Sequence, residues 1–132
     1  MPERTPPSPK NDHERAYWDA LAKHRLSLQR CAACGFMRYP PGLFCPECWG
    51  GAFEWKPLSG KGSVLSVVWY MKSLDRRFPE VPYNVSLVKL DEGPAVISNI
   101  LHAKFGEIGV GEAVRASYLD EKGFTALMFE KV

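Results

Sequence analysis

Cys31-Ala32-Ala33-Cys34-Gly35 and Cys45-Pro46-Glu47-Cys48-Trp49-Gly50 are the two segments that decide how this chain folds. Each contains CxxC, and the ten residues 35–44 separate the pairs. Two residues between cysteines let one tight turn aim both thiolates at a single ion, and two such turns complete a tetrahedron. Gly35 and Gly50, close behind the second cysteine of each pair, are expected to free the backbone so that amide N–H groups point at the sulfurs. The spacing predicts one structural Zn2+ held by Cys31, Cys34, Cys45 and Cys48. Four thiolates leave no open coordination position, so such an ion supplies stability rather than chemistry.

Working outward, Leu26 to Gln29 alternates as a short strand entering the first pair, and Phe53 to Lys56 alternates again on leaving the second. Between the pairs, Arg38, Tyr39, Pro40 and Pro41 make a stiff connection. Upstream, residues 1–12 carry Pro2, Pro6, Pro7 and Pro9 among polar residues and are expected to be mobile. A helix is predicted over 13–24, capped by Asp12, with Glu14 favourably placed in its first turn. Tyr17, Trp18, Leu21 and Ala22 form its apolar stripe, opposite Asp19 and Lys23. Either the stripe packs on the chain's own body, or Tyr17, Trp18 and Leu21 dock on a partner.

Downstream of Gly60 five strand-like runs follow: Gly62–Tyr70, Tyr83–Leu90, Ala95–Leu101, Ala113–Leu119 and Phe124–Phe129. Asp91-Glu92-Gly93-Pro94 and Asp120-Glu121-Lys122-Gly123 are turns after the second and fourth runs, and Gly106, Gly109 and Gly111 mark a loop after the third. Five short strands with no helix between them suggest closure into an OB-fold, because an open sheet would leave two hydrophobic edges exposed. The expected fold is mainly β: an N-terminal helix (13–25), a rubredoxin-like zinc ribbon (26–57) and a five-stranded OB-fold barrel (58–132).

Charge narrows the function. Residues 1–55 hold seven basic and six acidic side chains, and residues 56–132 hold ten and nine. Neither half has the electrostatic footprint of a protein that lives on nucleic acid or anionic membrane. No apolar run is long enough to span a bilayer, and MPERTPPSPKNDHER has no secretory apolar stretch, so a cytoplasmic location is expected. A reducing compartment makes paired cysteines metal ligands rather than disulfides.

No catalytic constellation stands out. His13, His24 and His102 lie near no Ser or Cys nucleophile motif, and neither GxGxxG nor a P-loop occurs. The most unusual stretch is the loop 69–83, where Lys72, Arg76 and Arg77 alternate with Trp69, Phe78 and Tyr83. Such a loop either binds, with basic heads on phosphates and apolar residues along a chain, or is solvated with Phe78 tucked into its own core.

The ordered set of motifs resembles the zinc-ribbon plus OB-fold proteins associated with acyl-CoA metabolism, over about residues 14–131. It comprises Tyr17-Trp18, Leu28-Gln29-Arg30-Cys31, Cys34-Gly35, Arg38-Tyr39-Pro40-Pro41 and Cys45-Pro46-Glu47-Cys48. It continues through Ser59-Gly60-Lys61-Gly62-Ser63-Val64, Pro82-Tyr83, Val88-Lys89-Leu90-Asp91-Glu92-Gly93-Pro94 and Ile108-Gly109-Val110-Gly111-Glu112-Ala113-Val114. The resemblance implies a non-catalytic subunit that works with a thiolase-like enzyme and helps to bind or channel an acyl-CoA thioester. On that reading Lys72, Arg76 and Arg77 would meet the CoA phosphates, and Trp69, Phe78 and Tyr83 would line the acyl or pantetheine path. Two other readings stay open: a single-stranded nucleic-acid binder, against which a net charge of +2 argues, and an iron-loaded, red electron carrier.

Overall fold

The computed structural model describes residues 6–73 and 80–132. One helix, α1 (Asp12–Ala22), precedes nine strands: β1 (Ser27–Cys31), β2 (Met37–Arg38), β3 (Phe53–Pro57), β4 (Lys61–Tyr70), β5 (Tyr83–Leu90), β6 (Ala95–Ser98), β7 (Ile100–Leu101), β8 (Ala113–Glu121) and β9 (Phe124–Lys131). The helix begins one residue earlier than expected. Asn11, not Asp12, is the cap, with its side chain accepting the Glu14 N–H at 3.0 Å, while Glu14 in turn accepts the Lys10 N–H at 2.8 Å.

The cysteine pairs sit on a three-stranded antiparallel sheet in the order β2-β1-β3. The remaining strands form a sheet in the order β6-β5-β4-β8-β9-β7. Its two outer strands are halves of the third predicted run, which breaks at Asn99: β6 pairs antiparallel with β5, and β7 pairs parallel with β9. The ring of the OB-fold is thus completed through the chain itself rather than by one unbroken ladder. Asn84 secures the joint. Its side-chain amide donates to the Ile100 carbonyl at 2.9 Å, and its Oδ1 accepts the Ile100 N–H at 2.8 Å and the Ser86 hydroxyl at 2.9 Å. The Asn99 amide donates to the Asn84 carbonyl.

One core runs through both parts. Val64, Val88, Leu90, Val96, Ile100, Val114 and Phe129 fill the barrel and are continuous with Leu26 and Leu28 of the ribbon side and with Tyr17 and Leu21 of α1. The helix packs on β9 and β1, so it wedges ribbon and barrel together. Trp18 meets Phe124 edge-on at 6.1 Å, Tyr17 meets Tyr39 at 6.2 Å, and His13 meets Phe53 at 5.0 Å. His24, just past the helix, lies 2.8 Å from Asp120 and stacks on Tyr118, tying this end of α1 to the β8–β9 hairpin.

Strand β4 carries a bulge. Val64 pairs with Val88, Leu65 is skipped, and Ser66 pairs with Leu87. Because side chains alternate, that one extra residue turns the phase over. Val64 points inward, whereas Ser66, Val68 and Tyr70 point outward.

Candidate functional site

The four cysteine sulfurs converge. All lie within 4.8 Å of one another, with Cys31–Cys48 and Cys34–Cys45 at 3.5 Å. Zinc–sulfur bonds of about 2.3 Å in a tetrahedron place sulfurs about 3.8 Å apart, so the set fits the ion with little adjustment. Backbone amides prepare the ligands. The N–H groups of Cys34 and Ala33 point at Cys31 and draw its thiol down to about 6. Cys45 is held low against its burial by the equivalent N–H groups of Cys48 and Glu47. Cys34 receives the Phe36 N–H, which lowers it, yet burial and the neighbouring sulfurs push it up to about 12. All four sulfurs bind zinc as thiolates, so metal binding releases to solvent whatever protons the thiols still hold.

The knuckles reach this geometry differently. Gly35 takes the left-handed conformation behind Cys34, with φ 79°, as expected. In the second knuckle that conformation falls on Trp49, with φ 63°, and Gly50 is not left-handed. Gly50 serves by its missing side chain instead: a Cβ there would lie 3.4 Å from Cys48 Sγ and 3.8 Å from Cys31 Sγ.

Two residues that carry this site were not recognised as such from sequence, namely Gln29 and Arg38, cross-strand partners on β1 and β2. Both are buried, at 0% and 2% exposure. Arg38 donates to the carbonyls of Gly42 and Gly50, and Gln29 accepts the Gly42 N–H. No signal local to the sequence marks them, because their opposition appears only once β1 and β2 pair.

The helix residues expected to dock on a partner differ in exposure. Leu21 is fully buried and Tyr17 nearly so, because α1 must cover the ribbon–barrel seam; of the three, only Trp18 reaches solvent. The loop residues are also dispersed. Trp69 pairs with inward-facing Asn84 and meets Phe105 edge-on at 5.5 Å, whereas Tyr83 pairs with Tyr70 on the outer face and stacks on it at 5.0 Å. Trp69 and Tyr83 thus lie on opposite faces of the sheet and do not line one path. Lys72 is exposed; Arg76, Arg77 and Phe78 lie outside the described residues.

Apart from Ser66, the outer face of β4, β5 and β6 beyond the bulge is apolar. Val68 pairs with Val85, Tyr70 with Tyr83, and Leu87 with Ile97. Val68 is 54% and Ile97 69% exposed. The inner side here carries Asn84, Ser86 and Ser98, all buried and hydrogen-bonded. They share the inner side with half-buried Val67 and Trp69, so this stretch has a mixed interior and an outer face that is more apolar than a solvated sheet usually shows. Among the described residues no histidine hydrogen-bonds a Ser or Cys side chain, and Thr125 donates to Asp120 rather than facing His24. No described helix is long and apolar enough to cross a membrane.

Comparison with known proteins supports this architecture. The ChsH2 rubredoxin-like zinc ribbon domain matches residues 18–54, and the ChsH2 C-terminal OB-fold domain matches residues 55–119. A probable enoyl-CoA hydratase alpha subunit of Thermomonospora curvata is 35% identical over 122 residues, which are 90% of this chain but 37% of that protein. The chain thus spans little more than a third of that relative. The benzoylsuccinyl-CoA thiolase subunit BbsA of Thauera aromatica is 30% identical over 57% of this chain and 51% of its own length. Among solved structures, a chain of the Ltp2-ChsH2(DUF35) aldolase superposes with a TM-score of 0.84 at 31% identity, covering 94% of this chain and 98% of that one.

Proposed function

Because this chain belongs to the ChsH2 family, in which a rubredoxin-like zinc ribbon precedes an OB-fold, we propose that it is a non-catalytic accessory subunit of a thiolase-type acyl-CoA enzyme complex in the cytoplasm. The observation that carries the reading is the outward apolar face of β4, β5 and β6. Leaving Val68, Tyr70 and Ile97 in water brings no gain to an isolated chain, and covering them with a protein partner does. Relatives that are subunits of an aldolase and of a thiolase point to the kind of partner. The zinc holds the ribbon's shape, and the chemistry belongs to the partner. Acyl-CoA would bind to the complex, with Lys72, Arg76 and Arg77 as candidates for its phosphates.

The test is affinity capture of the tagged chain from its native extract, beside the double variant Val68→Asp/Ile97→Asp. Recovery of a thiolase-like enzyme with the natural sequence, and its loss with a variant of unchanged melting temperature, supports the proposal. Equal recovery with both moves the interface elsewhere, and nuclease-sensitive material with no thiolase would favour a single-stranded nucleic-acid binder. Calorimetry on the complex with Lys72, Arg76 and Arg77 replaced by Ala tests the phosphate assignment, which unchanged CoA affinity would sink.

A further inference from the structure

Among the described residues, Arg38 is a buried cation without an anionic partner. It is 2% exposed, and among the described residues no carboxylate pairs with it. Its partners are neutral: Nη1 donates to the Gly42 carbonyl at 3.2 Å, Nη2 to the Gly50 carbonyl at 3.3 Å, and the guanidinium lies 5.3 Å from the Phe53 ring centroid. Among the described residues its Nε has no acceptor, and neither does Nε2 of adjacent Gln29. A buried charge in such surroundings is costly unless an opposite charge lies near.

The opposite charge is the metal centre. Zinc with four thiolates carries a net double negative charge. Gly50 separates the two: its carbonyl takes Nη2 of Arg38, and a Cβ on it would lie 3.4 Å from Cys48 Sγ and 3.8 Å from Cys31 Sγ. The same carbonyl accepts the Cys45 N–H at 2.9 Å. Gly42, at the other end of this segment, is held by Arg38 through its carbonyl and by Gln29 through its N–H at 2.8 Å. Segment 42–50 contains both ligands of the second knuckle and is therefore fastened at each end to one cross-strand pair.

We propose that Arg38 serves the zinc centre in two ways, as its buried counter-charge and as the positioning residue that holds Cys45 and Cys48 against Cys31 and Cys34. A merely structural arginine would matter equally with and without metal, whereas a counter-charge matters only when the metal thiolates are present.

The test uses the full chain, zinc-loaded and zinc-stripped, as the natural sequence, Arg38→Met and Arg38→Lys. Zinc affinity is read by competition with a chromophoric chelator, and melting temperature is read in both metal states. Arg38→Met is expected to lose about 10–100-fold in zinc affinity. Its melting temperature should fall in the loaded protein and stay level or rise in the stripped one, where the uncompensated charge has gone. Arg38→Lys keeps the charge without the two-carbonyl fork and should fall between. An equal drop in melting temperature with and without zinc would overturn the proposal, as would natural zinc affinity in Arg38→Met. Should Arg38→Met yield no folded protein, Arg38→Lys decides: zinc released faster than from the natural sequence supports the positioning role, and an unchanged rate refutes it.

Discussion

Replacing Gly62 with Ala tests the barrel's tightest seam. Gly62 sits in β4 between Leu90 of β5 and Val114 of β8, so its backbone is paired on both sides. A Cβ there would lie 2.5 Å from the Lys89 carbonyl oxygen and 3.0 Å from Val88 Cγ1. Ordinary contact begins at 3.4 Å, which leaves a shortfall of about 0.9 Å against the oxygen. The atom that must yield belongs to a paired strand rather than a flexible side chain, so the strain falls in the upper part of the range for overpacking, about 2–3 kcal/mol. At about 3 °C per kcal/mol for a chain of this size, the midpoint should drop by roughly 6–9 °C. Urea and thermal melts of the zinc-loaded protein, followed by circular dichroism, measure this. Gly109→Ala is the control, since nothing lies within 4 Å of a Cβ there. A Gly62→Ala protein within about 0.5 kcal/mol of the natural sequence would refute the packing argument.

Leu21→Ala should cost about 2–5 kcal/mol in urea melts, because the side chain is fully buried at the ribbon–barrel seam and cannot be replaced by water. Asp120 gives a pH signature. Its carboxyl is held below the usual range, first by the His24 ring and then by the Thr125 hydroxyl. A depressed folded value stabilises the fold above the unfolded value, and the contribution disappears as pH falls through the folded one. Asp120→Asn should therefore be less stable than the natural sequence at neutral pH, and the two stability curves should converge on acidification. Parallel curves down to the acid limit would exclude the carboxylate as the source.

The metal site could be read from sequence because a CxxC pair is a local object: two residues of spacing fix where both sulfurs point, and ten intervening residues return the chain for the second pair. The strand runs and their turns were legible for the same reason. What escaped depends on contacts distant in sequence. The period-2 pattern places Val64, Ser66, Val68 and Tyr70 on one face, and only the pairing with β5 shows that Leu65 is skipped. Arg38 reads as part of a stiff connection between the knuckles because nothing local announces that Gly42 and Gly50 will fold back over it. The apolar stripe of α1 was plain, but whether it meets this chain or another depended on where β9 and β1 run. The cap at Asn11 rather than Asp12 is a choice between two adjacent residues of similar capping strength.

The joint at Asn99 also determines where the chain tolerates being cut. Strands β6 and β7 are edges of the same sheet held together by one residue of chain and by the amide of Asn84, so ends introduced there would release both edges at once. The connection between β7 and β8 carries Gly106, Gly109 and Gly111, each with open space where a side chain would be, and its backbone bonds to Val64 of β4 lie at its far end, at Gly111 and Glu112. A circular permutant opened near Gly106 keeps every strand pairing, whereas one opened at Asn99 parts the two edge strands at the joint that Asn84 holds.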